Sequence, residues 1–181
     1  MSTTEADDQE PAVDRRDAVG ELLYFAYGSN LYLRRMQKRV PSAFPRTVAR
    51  LPGYRLAFNK IGGEGSAKCS IVEDADDEVW GVAYCMDATE LWRLDEAEGE
   101  GYERIDITVI TPEDETVQAF TYKARPGWTG HGWPFDWYRD LVTQGARHHA
   151  LPASYVSRIT AVTAVPDPDA ARDRANRPRK W

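Results

Sequence analysis

Apolar, strand-forming runs are dispersed along this chain, and several of the connections between them are hairpin-like. The clearest pair spans residues 102–110 and 116–124 around the turn Thr111-Pro112-Glu113-Asp114-Glu115. There Ile105, Ile107 and Val109 alternate with Arg104, Asp106 and Thr108, the period of a half-buried strand. Residues 22–28 are apolar and aromatic and read as a buried strand. Residues 48–59 read as a strand around a Pro52-Gly53 turn signal, and residues 69–73 and 79–86 as two further strands separated by a charged turn at 74–78. Helices are expected over residues 30–40, 136–144 and 153–161, and from the capping-box pattern Asp87-Ala88-Thr89-Glu90 to Gly99. This order predicts an α+β fold: a small mixed, mainly antiparallel sheet or barrel with flanking helices, rather than a doubly wound parallel sheet.

At 181 residues the chain is expected to hold one domain. With 23 Lys and Arg against 29 Asp and Glu its net charge is −6, without the basic balance of a general nucleic-acid binder. Two cysteines, Cys69 and Cys85, cannot make a disulfide framework or a four-thiolate zinc site. The chain has no apolar run long enough for a membrane helix and no apolar export signal. A cytoplasmic protein with no membrane or nucleic-acid partner is expected; its oligomeric state is open, a homodimer being compatible with it. Residues 1–20 carry six acids and two bases and read as a disordered acidic tail. Residues 166–181 reverse the sign and read as a flexible basic tail, leaving 21–165 as the domain.

Two segments have the makings of a site. Tyr27-Gly28-Ser29-Asn30-Leu31 lies where an apolar strand passes into a helix. A glycine there lets backbone and ligand approach closely, and free N–H groups at a helix start can bind an anion; the plainer alternative is an ordinary strand-to-helix turn capped by Asn or Ser. Ser29 lacks the G-x-S-x-G frame of a nucleophile elbow. The second segment runs from Leu94 to Tyr102, with Asp95, Glu96 and Glu98 in the last helical turn and Glu100 following. The helix dipole disfavours acids at that end by roughly 0.3–1 kcal/mol each, and rule-breaking of this kind is expected at functional sites. A carboxylate crowded by like charges and partly buried holds its proton more tightly than usual and can serve as a base near neutrality. A solvated acidic helix end is the alternative, and spacing and composition leave the choice among the four acids open.

Taken together, Tyr24-Phe25-Ala26-Tyr27-Gly28-Ser29-Asn30-Leu31, Val79-Trp80-Gly81-Val82, Leu94-Asp95-Glu96-Ala97-Glu98-Gly99, Gly145-Ala146 and Leu151-Pro152-Ala153-Ser154-Tyr155 resemble the γ-glutamylcyclotransferase family over about residues 22–160. The resemblance implies a compact fold built on a small barrel. It implies a lyase or acyltransferase that needs no metal and no cofactor: the α-amine of a small γ-glutamyl substrate attacks its own γ-carbonyl and releases 5-oxoproline with an amine or amino acid. It assigns the acid/base to Glu98, the cradle for the glutamyl group to Tyr27, Gly28, Ser29, Asn30 and Leu31, and a substrate-facing hydroxyl to Tyr138. The alternatives are a relative acting on a γ-glutamylamine or a γ-glutamyl-protected biosynthetic intermediate, as in the butirosin-pathway member, or a non-catalytic binding module of the same fold. The glutathione-specific branch opens on a different motif, so intact glutathione is not the expected substrate.

Other residues read as structural. Tyr102 and Tyr122 match family tyrosines near the pocket but read first as ordinary core residues. His131, His148 and His149 form no ligand or catalytic constellation, and Cys69 and Cys85 read as small buried residues. Residues 126–137 hold three tryptophans among three glycines and read as a lid or wall beside the leaving group, or as a loop that caps the core. The run Arg34-Arg35 with Lys38-Arg39 reads as a solvated face.

Overall fold

The computed structural model describes residues 20–179; nearly all of the expected acidic tail lies outside them. Five strands close into a barrel. β1 (Glu21–Ala26), β2 (Phe44–Ile61), β3 (Ala67–Asp87), β4 (Tyr102–Ile110) and β5 (Thr116–Ala124) are arranged in the order β1-β3-β2-β4-β5. Every pairing is antiparallel except the closing one, where β5 runs parallel to β1 at Phe120 and Tyr24. The expected α+β class with a mainly antiparallel barrel is what the chain forms. The β4–β5 hairpin keeps the expected bounds, with Ile107 and Val109 buried and Arg104, Asp106 and Thr108 on the outer face.

β2 and β3 depart from expectation. At 18 and 21 residues they form one long ribbon, and the charged segment at 74–78 does not divide β3 into two strands. Leu51 faces Val79 and Pro52 faces Glu78, whereas Tyr54 faces Glu73, so Gly53 alone stands opposite residues 74–77. The acidic residues are extruded as a bulge and the strand continues on both sides. Gly53 supports this with φ 82°, a left-handed conformation that glycine adopts freely.

The helices pack around the barrel. α1 (Leu33–Arg39) follows a 3-10 turn at Ser29–Leu31, and α2 (Leu91–Glu98) follows a second one at Ala88–Glu90. Asp87 caps that second turn by accepting from the Thr89 N–H. Glu90 does not complete a capping box; it accepts from the Ser42 N–H instead. α3 (Asp136–His148) runs one turn beyond its expected end and precedes α4 (Ala153–Thr160).

Residues 166–179, expected as a flexible tail, carry α5 (Ala170–Asn176) and dock on the body. Asp167 is buried, accepting from the Trp137 indole at 2.8 Å and pairing with Arg172 at 2.6 Å. Arg177 pairs with Asp136, and Tyr32 exchanges hydrogen bonds with the Arg179 backbone. Charge counting treats such ions as solvated; here the acids and bases satisfy one another across the docking surface.

The 3-10 turn at Ser29–Leu31 is held from behind by α3. Leu31 is fully buried, and a Cβ built on Gly145 would lie 2.4 Å from the Leu31 carbonyl carbon. Only glycine permits that approach. Just past the helix, His149 Nε2 stands 3.1 Å from the Leu31 carbonyl oxygen and 3.1 Å from the Tyr84 hydroxyl. A carbonyl can only accept, so Nε2 carries the proton. Burial and the adjacent His148 push the His149 imidazole down to about 4.

Gly145→Ala, by overpacking this contact, is expected to lower the unfolding free energy by about 1–3 kcal/mol in denaturant titration; wild-type stability would mean the turn moves freely. Because His149 is neutral in the fold but protonates near 6.5 when unfolded, the unfolded chain binds more protons between pH 6.5 and 4. Thermal stability should therefore decline as pH falls through that window, and His149→Gln should flatten the decline.

Candidate active site

At the open end of β1 the chain turns through Tyr27 and Gly28 into the 3-10 turn. The cavity there is lined by Gly28, Ser29, Asn30 and Glu98 and by five tyrosines, Tyr24, Tyr27, Tyr102, Tyr122 and Tyr138, with Cys69 at its side. Of the residues singled out from the sequence, Glu98, Tyr27, Gly28, Ser29, Asn30 and Tyr138 converge on it. Leu31 does not. Its side chain is buried against α3 and its N–H donates to the Gly28 carbonyl at 3.0 Å. The N–H groups of Ser29 and Asn30 open the 3-10 turn and have no acceptor within it, so they are the backbone donors the turn can offer.

The helical phase of α2 separates the four acids. Leu94 is its buried anchor, and Glu98, four residues on, lies on the same face. Gly99 then ends the helix with φ 71°. Asp95 pairs instead with Arg104 at 2.9 Å, and Glu96 and Glu100 are exposed. The acids thus face different partners, and Glu98 is the one that reaches the cavity.

Glu98 is held by two donors. Asn30 Nδ2 lies 2.9 Å from its Oε1 and Arg39 lies 3.0 Å from the same oxygen, which leaves Oε2 to a ligand. Arg39 also donates to Asn30 Oδ1 at 2.8 Å, and Asn30 makes its second donation to the Tyr24 hydroxyl at 2.9 Å. Arg39, Asn30 and Glu98 therefore form a closed triangle in which the amide uses both its donors and its acceptor. Arg39 thus departs from the solvated face expected of it. Arg34 and Lys38 are exposed or nearly so, but Arg35 and Arg39, four residues apart and flanking buried Met36 and Val40, turn inward. That spacing was the available signal. Burial, with Arg39 nearby, pushes the Arg35 guanidinium down to about 10.

The tyrosines form a scaffold of neutral hydroxyls. Burial raises Tyr24, Tyr27, Tyr102 and Tyr138 well above the usual phenol range, with the Glu98 charge contributing. Tyr102 donates to the Cys69 carbonyl at 2.6 Å, and Tyr138 accepts from the Cys69 N–H at 3.0 Å. Tyr27 donates to the Tyr122 carbonyl, and Tyr122 donates to Asp95 at 2.6 Å. Tyr102 and Tyr122, expected as core residues, line the cavity. Cys69 sits beside it, but burial pushes its thiol up to about 12, so it is no nucleophile at neutral pH.

The tryptophan-rich segment is tied by its backbone to the adjoining ends of β2 and β3. Ile61 N–H donates to the Trp128 carbonyl, Gly130 N–H to that of Asn59, and Ala67 N–H to that of Trp133, at 2.8–3.0 Å. Among the described residues no group of three or more His, Cys, Asp or Glu could hold a metal ion, and no helix is long and apolar enough to cross a membrane.

The AIG2-like family model matches residues 78–159. γ-Glutamylcyclotransferase from Bos taurus is 34% identical over 163 residues, covering 82% of this chain and 83% of the relative. The Homo sapiens protein of the same name is 34% identical over 153 residues, covering 77% and 78%. A solved γ-glutamyl cyclotransferase structure superposes with a TM-score of 0.77 at 30% identity, covering 82% of this chain and 92% of the other.

Removing Arg39 leaves two acceptors stripped of a charged donor. Arg39→Met is expected to cost about 1–3 kcal/mol of stability, and clearly less in a Glu98→Gln background. Equal costs in both backgrounds, measured by denaturant titration, would show that the triangle does not couple the two residues.

Proposed function

The chain belongs to the γ-glutamylcyclotransferase family, and from that premise we propose that it cleaves a γ-glutamyl amide by intramolecular cyclisation, releasing 5-oxoproline and an amine or amino acid, with Glu98 as the proton carrier. The observation that carries this reading is the position of Glu98. It is the one acid of its cluster at the cavity, opposite the 3-10 turn, with one carboxylate oxygen held by Asn30 and Arg39.

The chemistry needs three things. The attacking nitrogen arrives as an ammonium and must lose a proton, and Glu98 takes it. The freed amine then attacks the γ-carbonyl carbon, and negative charge develops on the carbonyl oxygen. The N–H groups of Ser29 and Asn30 are the donors for that oxyanion. As the bond to the leaving nitrogen breaks, Glu98 returns its proton to that nitrogen. One ammonium proton stays on the lactam nitrogen and the other two end on the released amine. The same carboxylate thus serves as base and then acid, a role typically worth about 10²–10⁴-fold in rate.

Because both reacting groups belong to one molecule, what remains for the protein is to hold the glutamyl chain bent. The neutral tyrosine hydroxyls and the fixed turn are suited to this, since they offer directional hydrogen bonds without adding charge beside the ammonium. The chemistry calls on no side-chain nucleophile, in keeping with the protonated state of Cys69.

Glu98→Gln is expected to keep the thermal unfolding transition and to lower 5-oxoproline release from γ-glutamyl dipeptides by at least about 10²-fold. Activity near that of the wild type would remove Glu98 from this role. Absence of 5-oxoproline from every dipeptide and γ-glutamylamine tried with the wild-type protein would favour a binding module.

A further inference from the structure

The catalytic cavity opens into a second space that shares Ser29, Glu98, Tyr102 and Tyr138 with it. A substrate whose glutamyl half fills the inner cavity must present its leaving nitrogen to Glu98, so whatever that nitrogen carries extends into this vestibule. Its walls are strongly basic: Arg35, Arg39, Lys60, Lys68 and Arg172 line it, against Glu64 and Glu98.

Three of these cations are already matched. Arg39 pairs with Glu98, Lys68 with Glu64 at 2.6 Å, and Arg172 with Asp167. Although burial works against it, Lys68 and Ser66 hold the Glu64 carboxyl down at about 2, so that carboxylate is ionised at neutral pH. Lys60 and Arg35 are different. Lys60 is only 8% exposed, and its Nζ lies 5.0 Å from the Tyr102 ring centre and 5.2 Å from that of Trp128. Aromatic faces hold an ammonium in position but do not neutralise it, and among the described residues no carboxylate pairs with it. Arg35 reaches Asn176 Oδ1 at 3.4 Å, while its buried Nε has no hydrogen-bond partner among the described residues. Two inward-turned cations without counter-ions are costly unless a ligand supplies the charge.

We propose that the leaving group is an acidic amino acid, its two carboxylates answering Lys60 and Arg35 in this vestibule. One carboxylate would match any amino acid; the second unmatched cation is what selects glutamate or aspartate. The proposal rests on the γ-glutamyl reading above and adds the identity of the leaving half. It also gives Trp128 a part, since its ring holds the Lys60 ammonium over the space.

The test compares 5-oxoproline release by the full-length protein from γ-glutamyl-glutamate and γ-glutamyl-glutamine, near-isosteric substrates that differ by one charge, with γ-glutamyl-alanine as reference. The expected result is a kcat/KM at least about tenfold higher for γ-glutamyl-glutamate than for γ-glutamyl-glutamine, narrowing as salt is raised. Lys60→Met, which keeps the length of the stem, should bring the ratio towards one, and Lys60→Arg should restore it; thermal unfolding verifies that each variant folds. Equal rates on the two substrates in the wild type would overturn the proposal while leaving the cyclisation reading intact. A ratio unchanged in folded Lys60→Met would also overturn it. Release from none of the three substrates would overturn the proposal, while the cyclisation reading falls only if γ-glutamylamines also yield no 5-oxoproline.

Discussion

The site depends on one backbone contact: Leu31 pressed against the bare face of α3 at Gly145. The 3-10 turn that begins at Ser29 has few internal hydrogen bonds of its own and would be soft if it stood alone. With Leu31 buried and its carbonyl held by His149, the turn becomes a rigid extension of the barrel. Asn30 is thereby fixed, and through Asn30 the carboxylate of Glu98 on a different element. Strand, turn and two helices are brought to one reference point by packing, and the polar triangle is built on that packing rather than the reverse. This order makes physical sense, because hydrogen bonds hold a geometry well only where the groups that make them cannot drift.

Much of this was legible in the sequence. Alternation set out the β4–β5 hairpin, and glycine and capping signals bounded α2 to within a few residues. Glu98 was singled out by the family resemblance alone; that it lies four residues beyond the buried anchor of α2, on the same face, is a fact of the folded helix. The departures share a cause. Residues 74–78, α1 and the C-terminal segment are all dense in charge, and dense charge in a local window signals turn or solvent. In the structure, Asp77 pairs with Arg158, Arg39 with Glu98 and Arg177 with Asp136, each across a long sequence gap. A local window cannot see a counter-ion supplied by another element. Leu31 departs for the opposite reason: a residue of a functional motif is expected to touch substrate, but its share of this motif is to anchor it.

The aromatic residues divide by what their polar atoms do. Phe25 and Phe120 serve the barrel core. The tyrosines stand with their rings in that core and their hydroxyls at its mouth, so the same side chains that close the hydrophobic interior furnish the polar lining of the cavity. Trp128 and Trp137 do a third thing, laying ring faces under lysine ammonium groups at the vestibule wall. The protein is acidic as a whole yet basic in this one recess, a contrast that draws an anion inward.

The two hydrogen bonds that tyrosines make to Cys69 have a consequence beyond the cavity. β1 pairs with β3 only from Val82 to Asp87, so the stretch around Cys69 leaves the barrel with one edge unpaired by any strand described. That stretch is buried, with Cys69, Ser70 and Ile71 all nearly inaccessible, so its free backbone groups need partners from within the molecule. Tyr102 and Tyr138 supply them, one taking up the carbonyl and the other the N–H. The lining of the pocket therefore completes the hydrogen bonding of β3 where β1 has ended, and loss of either phenol would leave a buried backbone group unmatched.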